Sequence, residues 1–143
     1  MIVYGDTSAL VKLFVVEENS ALTQDMLRQA QALGTGLLTR AELGAALARG
    51  AQRGFVSEEE ALEARQRLGA VWPTWIHITL DENMVSRAEA LAWEYGLRGY
   101  DAVHLAAALA WQERLASLVV LATFDRELWT AARQAGLAVW PEE

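Results

Sequence analysis

Short apolar runs alternate along the chain with longer stretches in which apolar residues recur at helical spacing, the rhythm of strands joined by helices. Ile2, Val3 and Tyr4 predict a first strand, and Gly5-Asp6-Thr7-Ser8 a turn into a helix from Ala9 to about Val16. A second helix is expected over Ser20 to Leu33, broken by Gly34 to Gly36, with Leu37 and Leu38 as a brief strand. The next helix should run from Arg40 to about Arg53, where Gly54 stops it. Ser57, with Glu60 three residues later, has capping-box spacing and predicts a helix over Glu58 to Val71 that ends before Pro73.

Trp75 to Leu80 reads as a strand, and Asp81 as the cap of a helix from Glu82 to Tyr95. Met84, Ala88, Leu91, Ala92 and Tyr95 share one face of that helix, and Gly96 terminates it. Ala102 to Trp111 is apolar nearly all round and predicts a central buried helix. Leu118 to Ala122 is a continuous apolar run, as in a strand covered on both faces. Asp125 opens a last helix to about Ala135, and Gly136 with the run Leu137 to Trp140 closes the chain. The pattern predicts an α/β fold, a three-layer α/β/α sandwich with a mostly parallel central sheet, in a single domain over residues 1–143 without repeats or linkers.

Composition narrows the chemistry. A hydrophobic fraction of 53% with two prolines suits one folded domain, and the absence of cysteine removes disulfides, thiolate metal sites and cysteine nucleophiles together. Two histidines make a zinc site a poor fit. Met1 to Gly5 carries no basic leader and no apolar run approaches the ~18 residues of a membrane span, so a soluble cytoplasmic protein is expected. The net charge of −7 opposes a nucleic-acid partner at first sight. Cations bound among the acids would, however, present a local positive field to phosphate, so the global balance does not exclude one.

Asp6, Glu42, Asp101 and Asp125 each stand where apolar sequence gives way to helix-like sequence. In a wound α/β fold such junctions gather at the carboxyl edge of the sheet. Carboxylates brought to ~5 Å of one another repel by roughly 3 kcal/mol per pair at an effective dielectric of ~20, so such a cluster calls for protons or a cation. Each acid also has a purely structural explanation as a helix cap, and Thr39 with Glu42 has capping-box spacing of its own.

The segments Asp6-Thr7-Ser8-Ala9-Leu10, Arg40-Ala41-Glu42-Leu43, Tyr100-Asp101-Ala102-Val103-His104-Leu105-Ala106 and Thr123-Phe124-Asp125 occur together in this order. In them, and in its closing Gly136 to Val139, the chain resembles the PIN-domain family, and within it the VapC-type toxins of toxin-antitoxin pairs. The resemblance covers essentially the full length. It implies a divalent-metal-dependent endoribonuclease in which Asp6, Glu42, Asp101 and Asp125 hold Mg²⁺ or Mn²⁺ and are the catalytic residues. Thr7, Ser8 and Thr123 match hydroxyl positions that would orient those acids. The resemblance further implies an RNA substrate, a cognate antitoxin seated near the helices Arg40 to Gly54 and Glu58 to Val71, and a homodimer.

Arg40, Arg98 and Arg126 lie within three residues of Glu42, Asp101 and Asp125 and are candidates for RNA backbone contact, with local ion pairing as the alternative. His104, three residues after Asp101, is expected to be structural rather than a metal ligand, and most of the six tryptophans to be core. Two other readings stand beside the ribonuclease: a catalytically inactive PIN-like interaction module, and a phosphoacceptor signalling domain. Against the second, Asp6 stands alone after the first strand and Lys12 is the only lysine.

Overall fold

Ile2–Gly5 forms β1, the central strand of a five-stranded sheet, because its side chains are apolar on both faces and must be covered twice. In the computed structural model, which describes residues 1–143, the strands run in the order β3-β2-β1-β4-β5. β2 is Ala32–Gly36, β3 Ile76–Ile78, β4 Val119–Ala122 and β5 Ala138–Trp140. Every pairing is parallel, with Ile2 opposite both Ala32 and Val119. The sheet is therefore wholly parallel.

Helices α1 (Thr7–Leu10), α2 (Ser20–Arg28), α3 (Thr39–Gln52) and α4 (Glu58–Val71) cover one face, and α5 (Glu82–Tyr95), α6 (Gly99–Leu115) and α7 (Arg126–Gln134) the other. Strand alternation divides the core accordingly. Tyr4, Val119 and Leu121 point into the α5–α7 layer, and Val3, Val120 and Ala122 into the α1–α4 layer. No helix is long and apolar enough to cross a membrane.

Helix α6 is the central buried helix, with His104, Leu105, Ala106, Ala107 and Ala108 all inaccessible to solvent or nearly so. The run of alanines lets it lie close against the sheet. Arg87 of α5 and Glu113 of α6 form a two-pronged ion pair, at 2.8 and 2.6 Å, that ties the helical hairpin together on the outside. The Ser57–Glu60 capping box opens α4 with both reciprocal bonds present. Gly96 ends α5 in the left-handed region, at φ 65°.

Several boundaries differ from the sequence expectation. The second helix stops at Arg28, and the strand is Ala32–Gly36 rather than Leu37 and Leu38. Its glycines do not break it, because each sits under a large side chain. A Cβ on Gly34 would lie 2.7 Å from the Trp111 ring, and one on Gly36 would lie 2.9 Å from the Tyr4 hydroxyl. The Ala9 to Val16 helix is only one α-helical turn followed by a 3₁₀ turn over Val11–Leu13. Trp75 to Leu80 yields just three strand residues, Ile76–Ile78, at the sheet edge.

Candidate active site

The sheet order reverses its direction of growth between β1 and β4, so the loops leaving these strands diverge and open a crevice at the carboxyl edge. Asp6 leaves β1 into this crevice. Its backbone N–H donates to Ala122 O at 3.1 Å, and its side chain is almost wholly buried. Oδ1 accepts from the Ala9 amide at 3.0 Å and from Ser8 Oγ at 2.7 Å, while Oδ2 accepts from Thr123 Oγ1 at 2.5 Å. Asp6 is thus both the cap of α1 and a fixed carboxylate of the crevice.

Ser8 and Thr123 stitch the β1 and β4 loops together. Ser8 Oγ accepts from the Phe124 amide at 2.8 Å, and Thr123 Oγ1 accepts from the Asp125 amide at 3.0 Å. Asp125 caps α7 through Oδ1, which accepts from the Leu128 amide at 2.9 Å, and so leaves Oδ2 facing the crevice. Arg98 Nη2 reaches that oxygen at 3.5 Å, and Arg98 Nε lies 3.7 Å from Asp101 Oδ2. One exposed guanidinium is therefore shared between two carboxylates and leaves them a net negative charge.

Asp101 arrives by a route the sequence reading did not foresee. It stands in the first turn of α6, which follows a helix-helix turn and not a strand. The left-handed Gly96 and the buried Leu97 fold the chain back so that α6 begins at the carboxyl edge. Asp101 makes no cap, because Arg98 occupies that position without a side-chain bond.

Glu42 also departs from its capping explanation. The residue before α3 is Leu38, Thr39 lies inside the helix, and the Thr39 hydroxyl accepts from Thr35 Oγ1 at 2.7 Å. The Glu42 carboxylate is free to turn to His104, whose Nε2 donates to Oε1 at 2.9 Å. On the far side of the imidazole, Nδ1 meets the Tyr4 hydroxyl at 2.8 Å. Tyr4 escaped the sequence reading, although a hydroxyl in an apolar strand two residues before Asp6 was a visible signal.

Burial pushes the Asp6 carboxyl above its ordinary value, against the opposing pull of His104, Thr123, Ser8 and the Ala9 amide. Burial and then the neighbouring Asp125 raise Asp101 in the same way, with Arg98 opposing. Burial would also raise Glu42, but the His104 hydrogen bond and charge outweigh it and hold Glu42 below the usual carboxylate range. For His104 burial lowers the value, yet Glu42, Asp6 and Asp101 together raise it. Burial alone accounts for Asp6, whereas the neighbouring acids that help raise Asp101 and that raise His104 mark a local surplus of negative charge.

A pH dependence follows. The folded value of His104 lies above the ordinary 6.5, so its contribution is complete below 6.5 and is lost as the pH rises through the folded value. Asp6 and Asp101, raised from 3.8, act with the same sign at lower pH. Glu42, lowered from 4.5, loses its contribution only as the pH falls through its folded value. Melting curves in EDTA should therefore show stability declining as the pH rises from about 6.5, with a shallower decline in His104→Gln. A melting temperature that climbs over that range contradicts the assignment.

The side chains do not by themselves form a closed cage of three acidic or histidine ligands, since Glu42 is turned to His104 and Arg98 stands between Asp101 and Asp125. The donor set nevertheless suits a hard divalent cation, because it consists of carboxylate and hydroxyl oxygens. Thr7 Oγ1, beside Asp6 and close enough to help lower Glu42, is the buried side-chain oxygen left without a hydrogen-bond partner. Arg98 already supplies positive charge where two of the acids converge.

The other candidate arginines lie on aromatic rings. The Arg126 guanidinium carbon is 4.6 Å from the centre of the Trp129 ring, and that of Arg40 is 5.9 Å from the centre of a Trp72 ring. Lys12 is buried, donating to Glu17 Oε1 at 2.9 Å and Glu18 O at 2.7 Å, so it braces the loop after α1.

Residues 3–134 match the PIN domain family. The chain is similar to Ribonuclease VapC45 of Mycobacterium tuberculosis, with 35% identity over 99% of this chain and 96% of that protein. Among solved structures, PAE2754 from Pyrobaculum aerophilum superposes with a TM-score of 0.68 at 24% identity, covering 97% of this chain and 89% of that one. A toxin-antitoxin complex from Klebsiella pneumoniae contains a chain that superposes with a TM-score of 0.56 at 21% identity, over 84% of each chain. The protein belongs to the PIN-domain family, in its VapC branch.

Proposed function

We propose that the protein is a divalent-metal-dependent endoribonuclease that hydrolyses RNA phosphodiester bonds as the toxin of a type II toxin-antitoxin pair. The observation that supports this reading is that acids from four separate parts of the chain stand toward the carboxyl edge of the sheet, with His104 bonded to Glu42 and close to Asp6 and Asp101, and Arg98 shared by Asp101 and Asp125. Asp6 leaves β1, Glu42 follows β2, Asp101 opens α6 and Asp125 follows β4. Relatives named ribonucleases, alike over nearly the full length, support it.

Asp6, Glu42, Asp101 and Asp125 would hold Mg²⁺ or Mn²⁺. When bound, the cation would polarise the phosphate and lower the pKa of a water enough for hydroxide to form near neutral pH. Ser8 and Thr123 fix the Asp6 oxygens by hydrogen bonds, so that carboxylate requires no reorganisation as charge develops. Arg98, exposed and only loosely shared between two acids, is free to turn its donor fork to a phosphate oxygen. Arg40 and Arg126 are exposed at either side and complete the candidate backbone contacts.

For the antitoxin, we place the contact along α3. Two open apolar depressions flank this helix, of about 540 Å³ by Val15, Val16 and Phe55 and of about 370 Å³ between α3 and α4 by Ala51 and Leu62. Phe55 and Val16 are 80% and 97% exposed, apolar surface that a partner helix would cover. A cytoplasmic location and a homodimer complete the proposal, the latter checked by light scattering.

The deciding experiment is cleavage of single-stranded RNA with Mn²⁺ or Mg²⁺. Cleavage should stop on adding EDTA and return with excess metal. The product of an open reading frame adjoining the gene should protect the RNA, and Phe55→Glu should weaken that protection while leaving cleavage intact. Cleavage that persists after complete chelation would reject the metal-dependent mechanism.

A further inference from the structure

His104 is 4% exposed and sits in the middle of a three-residue chain that spans the sheet from one helical layer to the other. Glu42 belongs to α3, His104 to α6 and Tyr4 to β1 between them. The bond from His104 Nε2 to Glu42 Oε1 measures 2.9 Å and that between Nδ1 and the Tyr4 hydroxyl 2.8 Å. The Tyr4 and His104 rings meet edge to face, with centroids 5.8 Å apart. Gly36 leaves the space in which the Tyr4 hydroxyl stands, since a Cβ there would come within 2.9 Å of it.

Glu42 needs such a support more than its neighbours do. Asp6 is held at both oxygens, and Asp125 is fixed as a helix cap. Glu42 has a longer side chain, 25% exposed, and its side-chain hydrogen bond is to His104. An unsupported glutamate would sample several rotamers, and ordering it on binding a cation carries an entropic cost.

We propose that His104 is a positioning residue of the nuclease site: its Nε2–H holds the Glu42 carboxylate in one orientation, and Tyr4 holds the imidazole in turn. The inference rests on the metal-dependent reading above. It does not rest on the charge of the ring. Nε2 faces a carboxylate and carries a proton in the neutral and in the charged imidazole alike, while Nδ1 accepts from the Tyr4 hydroxyl in the first case and donates to it in the second. Hydrogen bonds of this kind to ligating carboxylates change metal affinity by ~10–100-fold when removed.

The test is calorimetric titration of the full chain with Mn²⁺, beside thermal melts. His104→Leu preserves bulk but removes the donor, and should weaken Mn²⁺ binding by ~10–100-fold. His104→Gln places an amide N–H near the former Nε2 and should recover most of the affinity. His104→Asn reaches only toward Tyr4 and should not. This contrast between two amides survives a His104→Leu variant that fails to fold, and a merely structural role would not produce it. In a Glu42→Gln background, His104→Leu should add little further loss, since both act through one carboxylate. Wild-type affinity in His104→Leu, or equal affinity in the Gln and Asn variants, overturns the inference while leaving the metal reading intact. Failure of the unaltered protein to bind Mn²⁺ overturns both.

Discussion

Asp101→Asn is expected to reduce metal-dependent RNA cleavage by ~10³-fold or more, the rate equivalent of the several kcal/mol that a correctly held cation supplies. The same substitution should raise the melting temperature of the metal-free protein. Burial and the nearby Asp125 and Asp6 charges disfavour ionised Asp101, so removing that charge relieves the folded state. Arg98 is not stranded by the change, because it keeps Asp125. Saturating Mn²⁺ should reverse the ranking, since a ligand at about 100 times its Kd adds ~2.7 kcal/mol to the protein that binds it and little to the variant that does not. Undiminished cleavage by a folded Asp101→Asn protein rejects the site assignment. A lower melting temperature in EDTA would instead mean that its pairing with Arg98 outweighs burial and repulsion.

Opposite signs with and without metal separate a cation site from a set of helix caps. A pure cap loses stability when its carboxylate is replaced, in every buffer. Asp6 and Asp125 do cap α1 and α7 through Oδ1, while Oδ2 accepts from Thr123 in the first and meets Arg98 in the second. Asp101 and Glu42 cap nothing. Each still stands in the first turn of its helix, where a carboxylate complements the helix dipole, and Asp101 also meets Arg98 three residues earlier, so their structural contributions are smaller than a cap but not absent.

Local pattern was enough for elements whose cause is local. The apolar run at Leu118 to Ala122, the Ser57–Glu60 box and the Asp81 to Gly96 helix all appear where their own side chains demand. Pattern failed where a distant residue decides. Gly34-Thr35-Gly36 resembles a breaker, yet forms strand because Trp111 and Tyr4 occupy the space above its glycines. Thr39 and Glu42 have the spacing of a capping box, yet Thr39 bonds Thr35 four residues back and Glu42 the distant His104. His104 was legible as a buried structural histidine but not as the support of Glu42, since the two are joined only once α3 and α6 meet over the sheet edge. The junction rule matches Asp6, Glu42 and Asp125, which follow strands, and gave the wrong entry for Asp101, which depends on a turn between helices.

The close seating of α6 on the sheet leads to the second large effect, in stability. Trp111, 6% exposed near the end of α6, lies over Gly34 of β2, where even a methyl group would stand 2.7 Å from Cη2 and 2.8 Å from Cζ3 of the indole. Trp111→Ala should cost ~3–5 kcal/mol, a large part of the ~5–15 kcal/mol that holds a domain folded. Gly34→Ala alone should cost ~1–3 kcal/mol by overpacking, because the rigid indole cannot move without lifting α6. In the Trp111→Ala background the added methyl meets open space and fills part of the cavity, so Gly34→Ala should become neutral or stabilising. Urea titration of the four proteins measures this coupling directly, and costs that simply add would show that the ring and the glycine do not share that space. Because α6 also carries Asp101 and His104 near its other end, Trp111→Ala should weaken Mn²⁺ binding as well, although the substituted residue lies outside the acid cluster.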